Sequence, residues 1–261
     1  MTLQKPLSVG SCNVRWDNPD DGAHRWERRR ERLLALLRSW APDVLGLQEP
    51  LRHQLDYLRQ ALPEYDAVGV GREDGVAAGE FCPILYRRDR FRPMTSGTFW
   101  LSEEPETPGS LAWGARHPRI CTWVTLVEPD TNTAFSVYNV HLDHEAPTAR
   151  ENSVALLLER IRHRAESGPV PVIVVGDFNA EPDNPAVLRL QEASSPLLKN
   201  ALAAVAEGTF HGFTGAASHG PIDYIFHSPE WQALSAQVLR GDGSRPFPSD
   251  HFPVSALLRL G

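Results

Sequence analysis

Val172-Ile-Val-Val-Gly-Asp-Phe-Asn179 is the stretch whose reading decides the fold. The run 170–175 is apolar and rich in β-branched residues, which marks a central strand buried on both faces. Gly176 permits a tight exit, and Asp177 and Asn179 then leave the strand at its carboxyl end. Polar side chains at that end of a central α/β strand occupy a common ligand position. Gly, Asp and Asn are also ordinary turn residues. The stretch alone therefore identifies a strand and leaves turn and site equally open.

Downstream, residues 222–226, 231–239 and 254–258 carry strand patterns. Upstream, 148–165 has helical spacing, and 65–138 is mostly strands (66–70, 81–86, 98–101, 120–127 and 134–140) split by Gly- and Pro-rich turns. Two more helices occupy 25–40, with Leu33, Leu36 and Leu37 beneath a charged face, and 51–62, closed by Pro63. Strands at 7–15 and 44–47 complete the pattern. Helices and strands are interspersed with no linker, composition break or repeat. The whole chain, 1–261, is thus expected to form one α/β domain with helices covering its sheets.

With 41% hydrophobic and 23% charged residues, the chain has the balance of a folded protein rather than a disordered one. No apolar run reaches the ~18 residues of a membrane span, and no charged-then-apolar leader precedes the first strand, so a cytoplasmic location is expected. Cys12, Cys82 and Cys121 are odd in number and sit in apolar strand-like stretches, which reads as buried free thiols. The net charge is −7, with a basic run only around residues 25–32. Sequence-independent duplex binding rests on many phosphate contacts, so this balance counts against a general nuclease. The irregular loop 102–119, rich in Glu, Pro and Gly, is a candidate substrate rim.

Other polar residues stand where strands stop. Ser249-Asp250-His251 precedes the last strand, and an adjacent acid and imidazole can divide metal ligation from proton handling. Glu49 follows an apolar run and precedes Pro50. Asp223 lies inside apolar Pro221-Ile-Asp-Tyr-Ile-Phe226, where a carboxylate needs a partner; His251 suits it, because a carboxylate fixes the tautomer of a working histidine. Asn139-Val-His-Leu-Asp-His144 closes a strand and offers His141 to a site, with His144 as a loop residue or a support behind it. Asn13 is a polar side chain in an apolar strand, and Glu80 stands ahead of another. Gly69-Val-Gly-Arg-Glu-Asp-Gly75 is rejected as a nucleotide loop, because its third glycine is one place late and no amphipathic helix follows.

The order of these motifs is more specific than any one of them. An Asn in the first strand, Gln-Glu after the second, a strand ending in His, Gly-Asp-Phe-Asn, Ile-Asp-Tyr and a final Ser-Asp-His together resemble the endonuclease/exonuclease/phosphatase superfamily. That group includes DNase I-like nucleases, abasic-site endonucleases, sphingomyelinases, inositol-polyphosphate phosphatases and deadenylases. Gly79-Glu-Phe-Cys-Pro-Ile-Leu-Tyr86, Gly97-Thr-Phe-Trp-Leu-Ser102 and Thr209-Phe-His-Gly-Phe-Thr214 resemble segments of a bacterial branch of hydrolases. The chain departs from that branch at Trp113, which Gly114 follows where an Asp is usual.

The resemblance implies a four-layer α/β sandwich, two facing mixed sheets flanked by helices, with Mg²⁺ or Mn²⁺ at one end. It implies Glu49 as the main metal ligand, with Asn13 and Asp250 near the ion. Asp177 would activate the attacking water and Asn179 would hold it or a phosphate oxygen. His251 braced by Asp223, and His141 braced by Glu80, would bind the phosphate. Oxygen ligands suit Mg²⁺, and in-line attack on phosphorus needs a positioned water and charge neutralisation. The expected substrate is a phosphate ester, small or lipid-derived, gripped by Arg116 and Arg119 of the rim. The enzymatic alternative is a DNA or RNA nuclease, including an abasic-site endonuclease. A binding module on a decayed nuclease fold fits less well, since the complete polar set serves no binding surface. A zinc or dinuclear centre on His141, His144, Asp177 and His251 lacks further ligands.

Overall fold

The computed structural model describes residues 3–217, 219–241, 243 and 245–261. The strand anticipated from the opening stretch is β8 (Val172–Asp177), buried along its whole length. It lies in a six-stranded sheet of order β5-β6-β7-β8-β10-β9, formed by β5 (Arg92–Trp100), β6 (Ile120–Glu128), β7 (Thr133–His141), β9 (Lys199–Asn200) and β10 (Asp223–His227). The second sheet has the order β11-β12-β1-β2-β4-β3 and comprises β1 (Leu7–Asn13), β2 (Val44–Gln48), β3 (Tyr65–Val68), β4 (Ile84–Arg87), β11 (Trp231–Val238) and β12 (Val254–Leu260). Both are mixed: β1 with β2 and β7 with β8 run parallel, and the other pairs antiparallel.

Three apolar clusters bind the layers. Val9, Val44, Ile84, Val137, Ile173 and Val175 meet between the sheets. Leu33, Leu34 and Leu37 of α1 (Trp26–Trp40) and Leu55 and Leu58 of α2 (Arg52–Ala61) cover the outer face of β2 through Leu45 and Leu47. Val154, Leu157 and Ile161 of α3 (Pro147–Glu166), with Val187 and Leu190 of α4 (Pro185–Glu192), cover Tyr138 and Val174 on the other side. The result is the expected helix–sheet–sheet–helix sandwich. Among the described residues, no helix is long and apolar enough to cross a membrane. The three thiols are free and buried.

The two sheets come into close contact at Gly46 of β2. A Cβ on Gly46 would stand 2.5 Å from Val175 Cγ2 and 2.8 Å from the Asn139 amide, so only glycine admits them. Asn139 uses that space as a polar bridge: its Nδ2 donates to Leu47 O and Pro83 O at 2.7 and 2.9 Å, and its Oδ1 accepts from Gln48 Nε2 at 2.7 Å.

Three local expectations change. The strand placed at 81–86 starts only at Ile84, because Phe81 makes an isolated bridge to Gly71 and Pro83 has no amide to donate. The strand placed at 98–101 is longer, Arg92–Trp100, its first half an exposed edge without apolar alternation. Helix α4 was not anticipated; Asn184 caps it by accepting from the Ala186 amide, and Pro185 opens it.

Candidate active site

Strand register brings the dispersed polar residues to one end of both sheets. In the parallel β7–β8 pair His141 faces Asp177, and in the antiparallel β8–β10 pair Asp223 faces the same Asp177. In the other sheet Asn13 ends β1 opposite Gln48, which puts Glu49 one residue beyond. Asp250 and His251 arrive just ahead of β12. Arg29 of α1, fully buried, ties this end together by donating to Val14 O, Arg15 O and Trp16 O on one loop and Pro248 O on the other. Ser249 Oγ adds a bond to Asn13 O at 2.6 Å.

Asp177 is the hub. Its Oδ2 lies 3.7 Å from Nε2 of both His141 and His251 and accepts from Asn13 Nδ2 at 3.0 Å. Its Oδ1 accepts from the Asn179 amide at 2.9 Å. Asn179 Nδ2 is anchored on Leu142 O at 3.0 Å, and the residue lines the cavity. His251 Nδ1 is 2.9 Å from Asp223 Oδ2, the pairing expected from sequence. Glu49 accepts from Asn13 Nδ2 and from the Trp16 amide, both at 2.9 Å. Asn13 therefore meets the two acids with its amide nitrogen, while its Oδ1 accepts from the Arg15 amide. Glu49, Asn179 and Arg15 all adopt the left-handed region, with φ of 71°, 47° and 55°. Such backbone costs of order 1–3 kcal/mol per residue and clusters at functional sites.

Charge is held under tension here. Burial, reinforced by Asp223, pushes the Asp177 carboxyl up to about 7 despite His251 and Asn13. Burial and the neighbouring Glu49 push Glu80 up to about 7 as well. Burial also acts on Glu49, but the Asn13 and Trp16 hydrogen bonds, with His251 and Arg15, outweigh it and hold its carboxyl below the usual range. The two imidazoles diverge. Burial, with Arg119 and Arg72, pushes His141 well below its ordinary value, whereas Asp223 and Asp177 overcome burial and hold His251 well above. Groups whose environments drive their protonation apart are suited to different steps of one reaction.

Glu49, Glu80, His141, Asp177, Asn179, Asp250 and His251 line a cavity of about 560 Å³, with Asn13 and Asp223 behind its lining. Its walls also include Arg15, Trp16, Arg72, His117, His144 and Phe210, which sequence reading did not assign to the site. Arg72 lies within the glycine-rich segment rejected as a nucleotide loop, and the rim is richer in cations than expected. Two anticipated contacts differ. Arg116 lies outside the cavity, largely exposed and paired with Glu145, because the irregular loop turns its side chain to solvent; Arg119, three residues on, points inward. Glu80 Oε2 sits 3.7 Å from His141 Nδ1, beyond a hydrogen bond, because Arg72 Nη1 takes that oxygen at 2.6 Å.

The donor set fits a hard divalent cation. Glu49, Asp177 and Asp250 line one cavity whose lining holds no sulfur residue, and oxygen donors are what Mg²⁺ and Mn²⁺ select. Asp177, Asp223 and His251 also hold donor atoms within 4.8 Å of one another. His251 Nδ1 there already shares a 2.9 Å hydrogen bond with Asp223.

Known proteins share this fold. A crystal structure of an endonuclease/exonuclease/phosphatase from Bacteroides vulgatus is 33% identical, covers 99% of this chain and 100% of its own, and superposes with a TM-score of 0.93. A mannosyl-6-phosphatase from Bacteroides thetaiotaomicron is 34% identical, with 97% and 99% coverage and a TM-score of 0.90. Nocturnin from Rattus norvegicus is 24% identical over 259 residues, covering 90% of this chain and 58% of its own. The chain spans about three-fifths of the length of the curated relatives it first matches. The sequence pattern of the Endonuclease/Exonuclease/phosphatase family matches residues 10–251, from the first strand to the site histidine before the last, and the chain belongs to that family of hydrolases.

Proposed function

We propose that this cavity hydrolyses the phosphate ester of a small molecule with the aid of Mg²⁺ or Mn²⁺. The observation that carries the reading is Asp177, held 3.7 Å from two imidazoles in a cavity that Glu49 and Asp250 also line. Glu49 and Asp250, with the Asn13 amide at their side, would hold the cation. When bound, it would neutralise phosphate charge and polarise the P–O bond. Asp177, raised toward neutral pH by burial, is poised to take a proton from the attacking water. Asn179 orients that water or a phosphate oxygen. His251, kept cationic by Asp223 and Asp177, stabilises charge developing on phosphorus and the leaving oxygen. Neutral His141 hydrogen-bonds a further oxygen.

The small-molecule preference rests on the net charge of −7. The mannosyl-6-phosphatase likeness leans the same way. A lipid headgroup shares the chemistry, and nucleic acid is the second reading, favoured by the likeness to nocturnin. A panel of p-nitrophenyl phosphate, bis-p-nitrophenyl phosphate, sugar and inositol phosphates, headgroup lipids in vesicles and oligonucleotides, each with Mg²⁺ or Mn²⁺, separates them. Turnover of a soluble small ester that EDTA abolishes is the expected result. Indifference to EDTA overturns the metal reading, and preferred oligonucleotide cleavage with steep salt dependence overturns the substrate reading.

A further inference from the structure

We infer that Arg72 and Arg119 form a terminal-phosphate clamp, which makes this cavity selective for phosphomonoesters over phosphodiesters. This deepens, and rests on, the reading of the cavity as a phosphate-ester hydrolase. Arg119 immediately precedes β6 and is only 5% exposed, yet its Nε and Nη1 have no hydrogen-bond partner. Its Nη2 lies 2.8 Å from His144 Nδ1, and the nearest carboxylate oxygen to Nε, Asp143 Oδ2, is 3.6 Å away. Arg72 is 7% exposed, with Nε likewise unpartnered. Its Nη1 is fixed by Glu80, and its backbone by the Glu80 carbonyl and the Trp100 indole. Both arginines line the wall of the catalytic cavity.

A buried donor left unsatisfied is costly, more so when it is charged. Here two guanidinium groups, one held by Glu80 and the other by His144, carry three such nitrogens and belong to residues lining the cavity that also holds Asp177. Guanidinium forks match pairs of anionic oxygens in a plane. A monoester dianion carries three non-bridging oxygens, enough to engage both arginines while the site residues of Asp177's end take the rest. A diester has one such oxygen fewer and one negative charge fewer, and it would press an ester substituent against unpaired guanidinium N–H groups. Sites built to hydrogen-bond a group strongly reject analogues that lack it.

The test compares kcat/KM for p-nitrophenyl phosphate and bis-p-nitrophenyl phosphate in the wild type, Arg72→Lys and Arg119→Lys, with Mg²⁺ present. Lysine keeps the charge and loses the fork. The monoester-to-diester ratio should favour the monoester in the wild type and fall by roughly tenfold or more in each variant. A wild-type preference for the diester, or parallel losses on both esters, overturns the inference. A second measurement needs neither turnover nor folded variants: inorganic phosphate should raise the melting temperature of the wild type more than dimethyl phosphate does, and equal shifts overturn the clamp. Failure to turn over either ester refutes the hydrolase reading, whereas the anion comparison still decides the clamp.

Discussion

Replacing Asp223 by asparagine removes one charge from the relay behind His251 and hardly changes volume. Asp223 is 1% exposed, and its Oδ2 meets His251 Nδ1 at 2.9 Å. An amide oxygen can still accept from Nδ1, so the ring should keep its place, 3.7 Å from Asp177. What disappears is the charge on a charge-assisted bond, worth about 1.5–3 kcal/mol. At 1.36 kcal/mol per tenfold in rate, that is a loss of roughly 10- to 150-fold in kcat on the best ester of the panel. The surviving acceptor places the expected value in the lower half of that range. A double-mutant cycle isolates the coupling: if Asp223 acts only through His251, Asp223→Asn adds almost nothing to His251→Ala. Steady-state rates at saturating metal, with thermal melts to establish folding, give all four corners. A fully folded Asp223→Asn variant with kcat within about threefold of wild type would refute the reasoning. So would losses that multiply across the two sites.

Three further perturbations follow from the same geometry. Glu49→Gln should mainly raise the Mg²⁺ or Mn²⁺ concentration for half-maximal rate, because it removes an oxygen-donor charge and leaves an acceptor for Asn13; an unchanged metal titration rules Glu49 out as a ligand. Asn139→Ala should cost at least about 1 kcal/mol in urea unfolding, since Leu47 O loses its Asn139 donor at 1–3 kcal/mol while Pro83 O keeps the Leu47 amide and Gln48 Nε2 keeps Ser11 Oγ, and a wild-type midpoint would show that the bridge contributes nothing. At Glu128, burial raises the carboxyl, but the Gln4 amide, Arg90 and Thr131 outweigh it and hold it below its ordinary value. A depressed carboxyl contributes stability above its unfolded pKa of about 4.3 and loses it as pH falls through the folded value. Melting temperature should accordingly fall more steeply below about pH 4.3 in the wild type than in Glu128→Gln, and parallel curves would contradict the assignment.

The sandwich was legible where burial leaves a one-dimensional trace. The unbroken apolar run of β8 and the spaced leucines of α1 record which faces are covered, and those elements fall within a residue or two of expectation. The exposed half of β5 and the eight residues of α4 leave a weaker trace, because one lies at a sheet edge and the other buries only Ala186, Val187 and Leu190. The site divides the same way. Residues at strand ends, such as Glu49, His141, Asp177 and Asp223, take their positions from register, which the strand pattern largely determines. Arg72 takes its position from a hairpin that pairs Gly71 with Phe81, and Arg119 from the exit of an irregular loop. Neither has a periodicity that says which way a side chain points, so Arg116 and Arg119 could not be told apart. Asn139 escaped notice as a bridge because its partners, Leu47, Gln48 and Pro83, belong to the facing sheet.

Where local rules are broken says more about function than where they are kept. Away from the site departures are scattered: Ala41, Trp113, Asn132 and Phe213 take left-handed backbone and Arg150 Nε and Trp231 Nε1 lack partners, while Arg90 finds carboxylates on Asp43 and Glu128. At one end of the sandwich the rules give way together. Glu49 and Arg15 occupy left-handed backbone, Asp177 is buried against a second acid, and two arginines keep unpartnered N–H groups. A fold selected for stability alone would replace each of them, because nothing in the packing of the three apolar clusters requires them. Retaining all of them around one cavity is economical only if a bound species relieves several at once. A divalent cation would offset the acids, and a phosphate anion would satisfy the arginines. A phosphate ester bound to a cation would relieve both, whereas a neutral or cationic ligand would leave the arginines as they are.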